Sequence, residues 1–135
     1  MTIRVAAMNL LARREYSMKE LVSRLVNKFP KEEVMETLEQ LKNENLQSDL
    51  RYAEMRVRVR SKAGYGSLFI ENELVSAGLD AELVSSVIRS SDLDWVHLAA
   101  IQKQKKVFKD DAHLRRYLYR KGFENSVIQK VIKGE

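Results

Sequence analysis

The sequence predicts an all-α protein: three tandem three-helix modules, about nine helices, in an elongated array that serial packing leaves free to curve. Three observations predict it. Glycine and proline are scarce, five and one in 135 residues, so few turns are forced and long helices are allowed. Apolar residues recur in i,i+4 pairs, the spacing of one helix face. One pattern also occurs three times. Leu21, Leu25, Val34 and Leu38 return 49 residues later as Ile70, Leu74, Leu83 and Val87, and 44 residues after that as Leu114, Leu118, Val127 and Val131.

Each copy reads as a helix, a turn and a second helix, led by a further helix at residues 3–14, 49–62 and 92–108. The modules then span residues 1–47, 48–90 and 91–135, the second with a Gly-containing turn at 64–66. Ser17-Met18-Lys19-Glu20 fits a capping box. Ser48, Asp80 and Asp110 suit helix caps, and Ser91-Asp92-Leu93-Asp94 puts carboxylates at the start of the seventh helix. Gly78 and Gly122 fall where a helix should end in a left-handed residue, each followed by an apolar residue able to tuck onto the core. In the constant-offset alignment Phe29-Pro30 takes their place, with Pro30 at or near the first position of the next helix. Met55-Arg56-Val57-Arg58-Val59-Arg60 alternates with the period of a strand. A lone strand leaves its backbone edges unpaired, so a helix with Leu50, Ala53 and Val57 on one side is the preferred reading.

Composition excludes several function classes. With no cysteine there is no disulfide framework, thiolate metal site or cysteine nucleophile. No apolar run approaches the roughly 18 residues of a membrane span. The start lacks a signal-type core and cleavage site, so a cytoplasmic location is expected. The two histidines, His97 and His113, lie outside any metal or catalytic spacing. Glu32, Glu33, Glu36 and Glu39 read as a solvated face near a helix start. Gly64-Tyr65-Gly66 lacks the Lys-Ser/Thr ending of a phosphate loop and reads as a flexible turn, with Tyr65 either packed across the module boundary or exposed. Trp95 is expected to anchor the third module's core. Tyr117 and Phe123 favour that core, and Tyr119 lies round the side of its helix. No catalytic residue, metal or cofactor is expected.

The basic residues are the functional candidates. Net charge is +5, and its distribution is uneven. Residues 97–135 hold ten Lys/Arg against four Asp/Glu, whereas residues 1–96 hold fourteen against fifteen. Lys103, Lys105, Lys106, Lys109, Arg115, Arg116, Arg120 and Lys121 form the largest cluster, Arg56, Arg58, Arg60 and Lys62 a second, and Arg13-Arg14 a third. Such clusters pair with phosphates or with acidic protein surfaces. Helix pairs with short turns also resemble helix-turn-helix DNA readers, though three near-copies with changing surfaces suit a ruler or clamp better.

Four strings, in order, resemble the RecX family of bacterial RecA regulators: LLARREYSMKELVSRL at 10–25, LQSDLRYAEMRVRVRSKAGYG at 46–66, IENELVSAGLDAELVSSVI at 70–88 and LRRYLYRKGFENSVIQKVI at 114–132. Together they cover nearly the whole chain. Lys121-Gly122 stands where Arg-Gly is common in the family, and Phe29-Pro30 replaces a Gly-apolar turn. The resemblance implies repeated three-helix modules that bind RecA–DNA filaments in their helical groove. It implies inhibition of strand exchange, ATP hydrolysis and coprotease activity in DNA repair and the SOS response. A non-enzymatic monomer is expected, with the RecA filament on DNA as partner, or DNA directly in the alternative reading.

Overall fold

A computed structural model describes residues 1–134, and every regular element among them is an α-helix. In order these are α1 (Ile3–Leu11), α2 (Met18–Leu25), α3 (Lys31–Asn43), α4 (Asp49–Lys62), α5 (Ser67–Ser76), α6 (Ala81–Ser90), α7 (Trp95–Gln104), α8 (Asp111–Arg120) and α9 (Asn125–Lys133). They group in threes around separate apolar cores. Ile3, Ala7, Tyr16, Leu21, Leu25, Val34, Leu38 and Leu41 form the first. Tyr52, Ala53, Val57, Ile70, Leu74, Leu79, Val84 and Val87 form the second. Ala99, Leu114, Leu118, Phe123, Ile128 and Val131 form the third. Trp95 does not belong to the third core alone: it is half-buried and packs against both the second and the third.

The helix starts are capped largely as the sequence predicts. Ser17 and Glu20 close a capping box on α2, while Ser48, Asp80 and Asp110 each accept a backbone N–H at the start of α4, α6 and α8. Two leading helices are shorter than expected. The first ends at Leu11 rather than 14. The seventh runs from Trp95 to Gln104 rather than 92 to 108, because Asp92 adopts a left-handed φ of 53° and Asp94 takes the cap. The alternating segment 55–60 is helical within α4: Val57 is buried and Val59 is 46% exposed, as helical rather than strand geometry requires.

The constant offset fails by one residue between the first copy's second helix and those of the other two, although Val87 and Val131 are buried as it expects. Measured from the caps Ser17, Gly66 and Asp110, Leu21, Ile70 and Leu114 are equivalent and buried, as are Leu25, Leu74 and Leu118. After the turn, Val84 and Ile128 are buried where Leu83 and Val127 were expected; those two are only half-buried. The turns explain the slip. The N–H groups of Leu79 and Phe123 reach back five residues, to the carbonyls of Leu74 and Leu118, across Gly78 and Gly122, both at φ 92°. Phe29 N–H reaches back only four, to Leu25, with no left-handed residue between. The glycine turns are thus one residue longer, and Phe29-Pro30 is equivalent to Leu79-Asp80 and Phe123-Glu124. Pro30 serves as the cap of α3, one residue ahead of its first turn.

The modules are joined by one device used twice. The turn after a middle helix docks on the first turn of the preceding module's middle helix. At the first joint Ser17 Oγ donates to Ala77 O at 2.9 Å and Lys19 Nζ donates to Ser76 O at 3.1 Å. At the second, Gly66 N–H donates to Lys121 O and Leu68 N–H to Gly122 O, both at 2.8 Å. The carbonyls of one helix end are thereby satisfied by another helix start, through side chains at the first joint and through open backbone N–H groups at the second. The approach is close: a Cβ on Gly66 would lie 2.5 Å from the Gly122 carbonyl, and one on Gly122 would lie 2.4 Å from Phe69 Cβ. The segment 64–66 is therefore a packed joint rather than a flexible turn.

Candidate functional site

Helical geometry divides the basic residues of α4. Residues four apart share a face, so Arg56 and Arg60 project together, and Arg58 and Lys62 project elsewhere. Arg56 Nε donates to Glu73 Oε1 at 3.0 Å, and Arg60 Nη2 stands 2.7 Å from Glu73 Oε2. One carboxylate on α5 therefore clamps two guanidinium groups on α4. Burial alone pushes the Glu73 carboxyl up, but hydrogen bonds and charge from Arg60 and Arg56 outweigh it and hold the group below its ordinary value. Glu73 in turn raises Arg60, chiefly through their hydrogen bond.

This clamp is the middle of a continuous chain of cations, carboxylates and rings that crosses all three modules. Toward the N-terminus Tyr52 hydroxyl donates to Glu20 at 3.5 Å, and burial with the Glu20 charge keeps that phenol protonated above its ordinary range. Glu20 also accepts from Arg14 at 3.4 Å. Arg14 lies 3.8 Å from the centre of the buried Tyr16 ring, and Arg24 lies 5.3 Å from it. Arg14, Lys19, Glu20, Arg24, Tyr52 and Arg56 line a hollow of about 480 Å³ at this first joint, with Glu73 at its wall.

Toward the C-terminus rings replace carboxylates. Arg60 lies 5.3 Å from the Tyr65 ring, which stacks on Phe69 at 4.1 Å. Lys121 Nζ sits 4.3 Å from Tyr65 and 5.9 Å from Tyr117. Lys106 Nζ sits 4.4 Å from Tyr117 and 5.3 Å from Phe108. Tyr65 thus packs across the boundary between the second and third modules. Six cations, Arg14, Arg24, Arg56, Arg60, Lys106 and Lys121, share this seam with Glu20 and Glu73, so it stays positive.

The remaining predicted residues are exposed. Arg13, Arg58, Lys62, Lys103, Lys105, Lys109, Arg115, Arg116 and Arg120 form no ion pair among the described residues. Arg58 and Lys62 edge an apolar groove of about 610 Å³ whose floor includes Leu50, Val57, Leu93 and Leu98. Lys103 and Lys105 lie at the end of α7, Lys109 precedes α8, and Arg115, Arg116 and Arg120 lie on its outer side. Sequence reasoning therefore grouped residues of two kinds, pinned and free. It missed Glu73, Glu20, Tyr16 and Arg24. Nothing in the spacing of Glu73 marks it, because its partners lie 13 and 17 residues away on another helix.

No cluster that could hold a metal ion is assembled among the described residues. No three His, Asp or Glu side chains converge there, His113 Nδ1 accepts the Lys109 N–H at 3.0 Å, and His97 stands exposed in the first turn of α7. No described helix is long and apolar enough to cross a membrane.

Comparison with known proteins bears on this arrangement. A family model described as RecX, first three-helix domain, matches residues 4–41, and one described as RecX, second three-helix domain, matches residues 48–88. Regulatory protein RecX of Legionella pneumophila (strain Corby) is 37% identical, with 95% of this chain and 91% of that protein covered. Regulatory protein RecX of Pseudomonas entomophila (strain L48) is 34% identical, with 98% and 90% covered. The crystal structure of RecX from Lactobacillus salivarius shares the fold, with a TM-score of 0.85 at 21% identity over 98% of this chain and 93% of that one.

Proposed function

The chain belongs to the RecX family of regulatory proteins, and from that premise we propose that it is a non-enzymatic, cytoplasmic regulator that binds RecA–DNA filaments as a monomer and inhibits their recombinase, ATPase and coprotease activities. One observation carries the reading: three modules of like construction, held by two joints of the same kind, each present exposed cations without ion-pair partners among the described residues. A filament presents the same surface again at each subunit. A protein whose modules repeat, taken here as residues 1–47, 48–90 and 91–135, is matched to such a target.

The mechanism needs no bond chemistry. Negative potential from DNA and acidic protein patches guides the basic body toward the filament. Each module then makes a weak contact, and linking the contacts raises the effective concentration of the next one. Hydrogen-bonded joints restrain the spacing of the modules, which lowers the ordering entropy lost when the second and third engage. The bound protein obstructs the groove or biases the filament toward an inactive state. The candidate residues are Arg13, Arg58, Lys62, Lys103, Lys105, Lys109, Arg115, Arg116 and Arg120 for direct contact, with the pinned Arg14, Arg56, Arg60, Lys106 and Lys121 holding the basic surface in shape.

The test is ATP hydrolysis by RecA on single-stranded DNA during titration with this protein. Dose-dependent inhibition that weakens with salt is expected. A folded protein that leaves hydrolysis unchanged at every salt concentration would sink the reading.

A further inference from the structure

Helix α8 has three surfaces. Leu114 and Leu118 face the core, and Tyr117 lies in the seam beneath Lys106 and Lys121. The third surface carries Arg115, Arg116, Tyr119 and Arg120. Tyr119 is 64% exposed, and it is the one aromatic side chain in the described residues that stands open to solvent. Its ring differs from those of Tyr65 and Tyr117, whose faces are taken by Phe69 or by lysine ammonium groups. No ring stacks on Tyr119 and no cation lies over it among the described residues.

The neighbours of Tyr119 decide what it suits. One turn back stand Arg115 and Arg116, the next residue is Arg120, and the only carboxylate of the helix is Asp111 in its first turn. One turn forward, Gly122 and Phe123 are buried. An aromatic anchor in a protein interface works within a surround of other side chains that seals it from water. Among the described residues Tyr119 has none, only guanidinium groups without ion-pair partners. A free ring face beside unpaired guanidiniums matches a flat base joined to phosphates. Bases inside a duplex are stacked on one another and offer no free face, so the ligand is a single strand.

We propose that the outer surface of α8 is a contact for single-stranded nucleic acid, in which one base stacks on Tyr119 and the flanking phosphates pair with Arg115, Arg116 and Arg120. The proposal deepens the filament reading by naming the strand, rather than protein, as what this part of the third module touches. It is measurable without any filament.

The experiment is fluorescence anisotropy of labelled oligothymidylate, and of an oligomer of equal length with abasic sites, against the full chain. Tyr119→Ala should weaken binding to oligothymidylate about tenfold while leaving the salt slope unchanged, and Tyr119→Phe should restore it. The wild type should bind the abasic oligomer no better than Tyr119→Ala binds oligothymidylate. Arg115→Gln with Arg116→Gln should instead lower the slope of log affinity against log salt by about 1.4. Equal binding of the two oligomers by the wild type, or no effect of Tyr119→Ala, overturns the proposal. So does a Tyr119→Ala protein that binds oligothymidylate normally but inhibits RecA poorly, since that outcome assigns the ring to a protein contact. Loss of RecA inhibition by the wild type itself would strike the filament reading and leave the strand contact standing.

Discussion

The first two modules and the third hold positive charge in different ways. Around the first joint Arg14, Arg56 and Arg60 are pinned by Glu20 and Glu73, half-buried, and shared between helices. In the third module Lys106 and Lys121 lean on rings, while Arg115, Arg116 and Arg120 have no partner among the described residues. A clamped guanidinium is part of the protein's own packing, and releasing it for a partner leaves a half-buried carboxylate unpaired. A free one loses little on meeting a phosphate. Two clusters that look alike in sequence therefore divide the work: one holds the array in shape and the other is available for binding.

The largest expected effect comes from cutting the joint that carries the third module. Gly122→Ala forces a Cβ to 2.4 Å from Phe69 Cβ at a φ of 92°, and should lower stability by about 3 kcal/mol in thermal or denaturant unfolding. Gly134→Ala is the control. Its φ is also positive, at 80°, but a Cβ there would meet nothing within 4 Å among the described residues, so the loss should be about 1 kcal/mol.

Next in size is the clamp. Glu73→Ala removes charge-assisted hydrogen bonds from two arginines and should cost about 2 kcal/mol. The pH dependence has a definite sign. Glu73 titrates lower in the folded chain than in the unfolded one, so its stabilisation is complete above the ordinary glutamate range and is lost as pH falls through the folded value. Unfolding midpoints measured from neutral to acid pH should fall less steeply for Glu73→Gln than for the wild type. Identical acid limbs would show that the clamp contributes nothing in solution.

Removing the ammonium of Lys106 or Lys121 should cost only about 0.5–1 kcal/mol each, the worth of a partly exposed cation on a ring. Substituting the free arginines should cost least: Arg115→Ala, Arg116→Ala and Arg120→Ala should each change stability by less than about 0.5 kcal/mol. A large loss at any of these would erase the distinction between pinned and free.

Much of the fold was legible because it is written in short-range rules. Caps at Ser17, Ser48, Asp80 and Asp110, the bounds of α4, and the left-handed Gly78 and Gly122 all follow from residues within a turn of each other. The register slip at Leu83 and Val127 was hidden because a five-residue and a four-residue closing bond look alike until the turn is built. The joints were hidden for a different reason. Gly66 and Gly122 are 56 residues apart, and only their packing shows that Gly66 N–H takes the carbonyl of Lys121 and Leu68 N–H that of Gly122. Within α4 the spacing separates Arg56 and Arg60 from Arg58 and Lys62, but the sequence carries no sign that Glu73 faces the first pair. Charge clusters read from one chain locate arginines. Whether they are free depends on contacts between helices.

The central claim is that binding resides in the free cations and shape in the pinned ones. Inhibition of RecA ATP hydrolysis on single-stranded DNA, compared at equal folded concentration for two charge variants, tests it most directly. One variant carries Arg115→Ala, Arg116→Ala and Arg120→Ala, and the other Arg56→Ala and Arg60→Ala. The first should keep its unfolding midpoint and need at least about tenfold more protein for half-inhibition, as the loss of phosphate or acidic contacts implies. The second should unfold more easily yet inhibit nearly as well while folded. The reverse pattern, with full inhibition by the first and none by the folded second, would contradict the account.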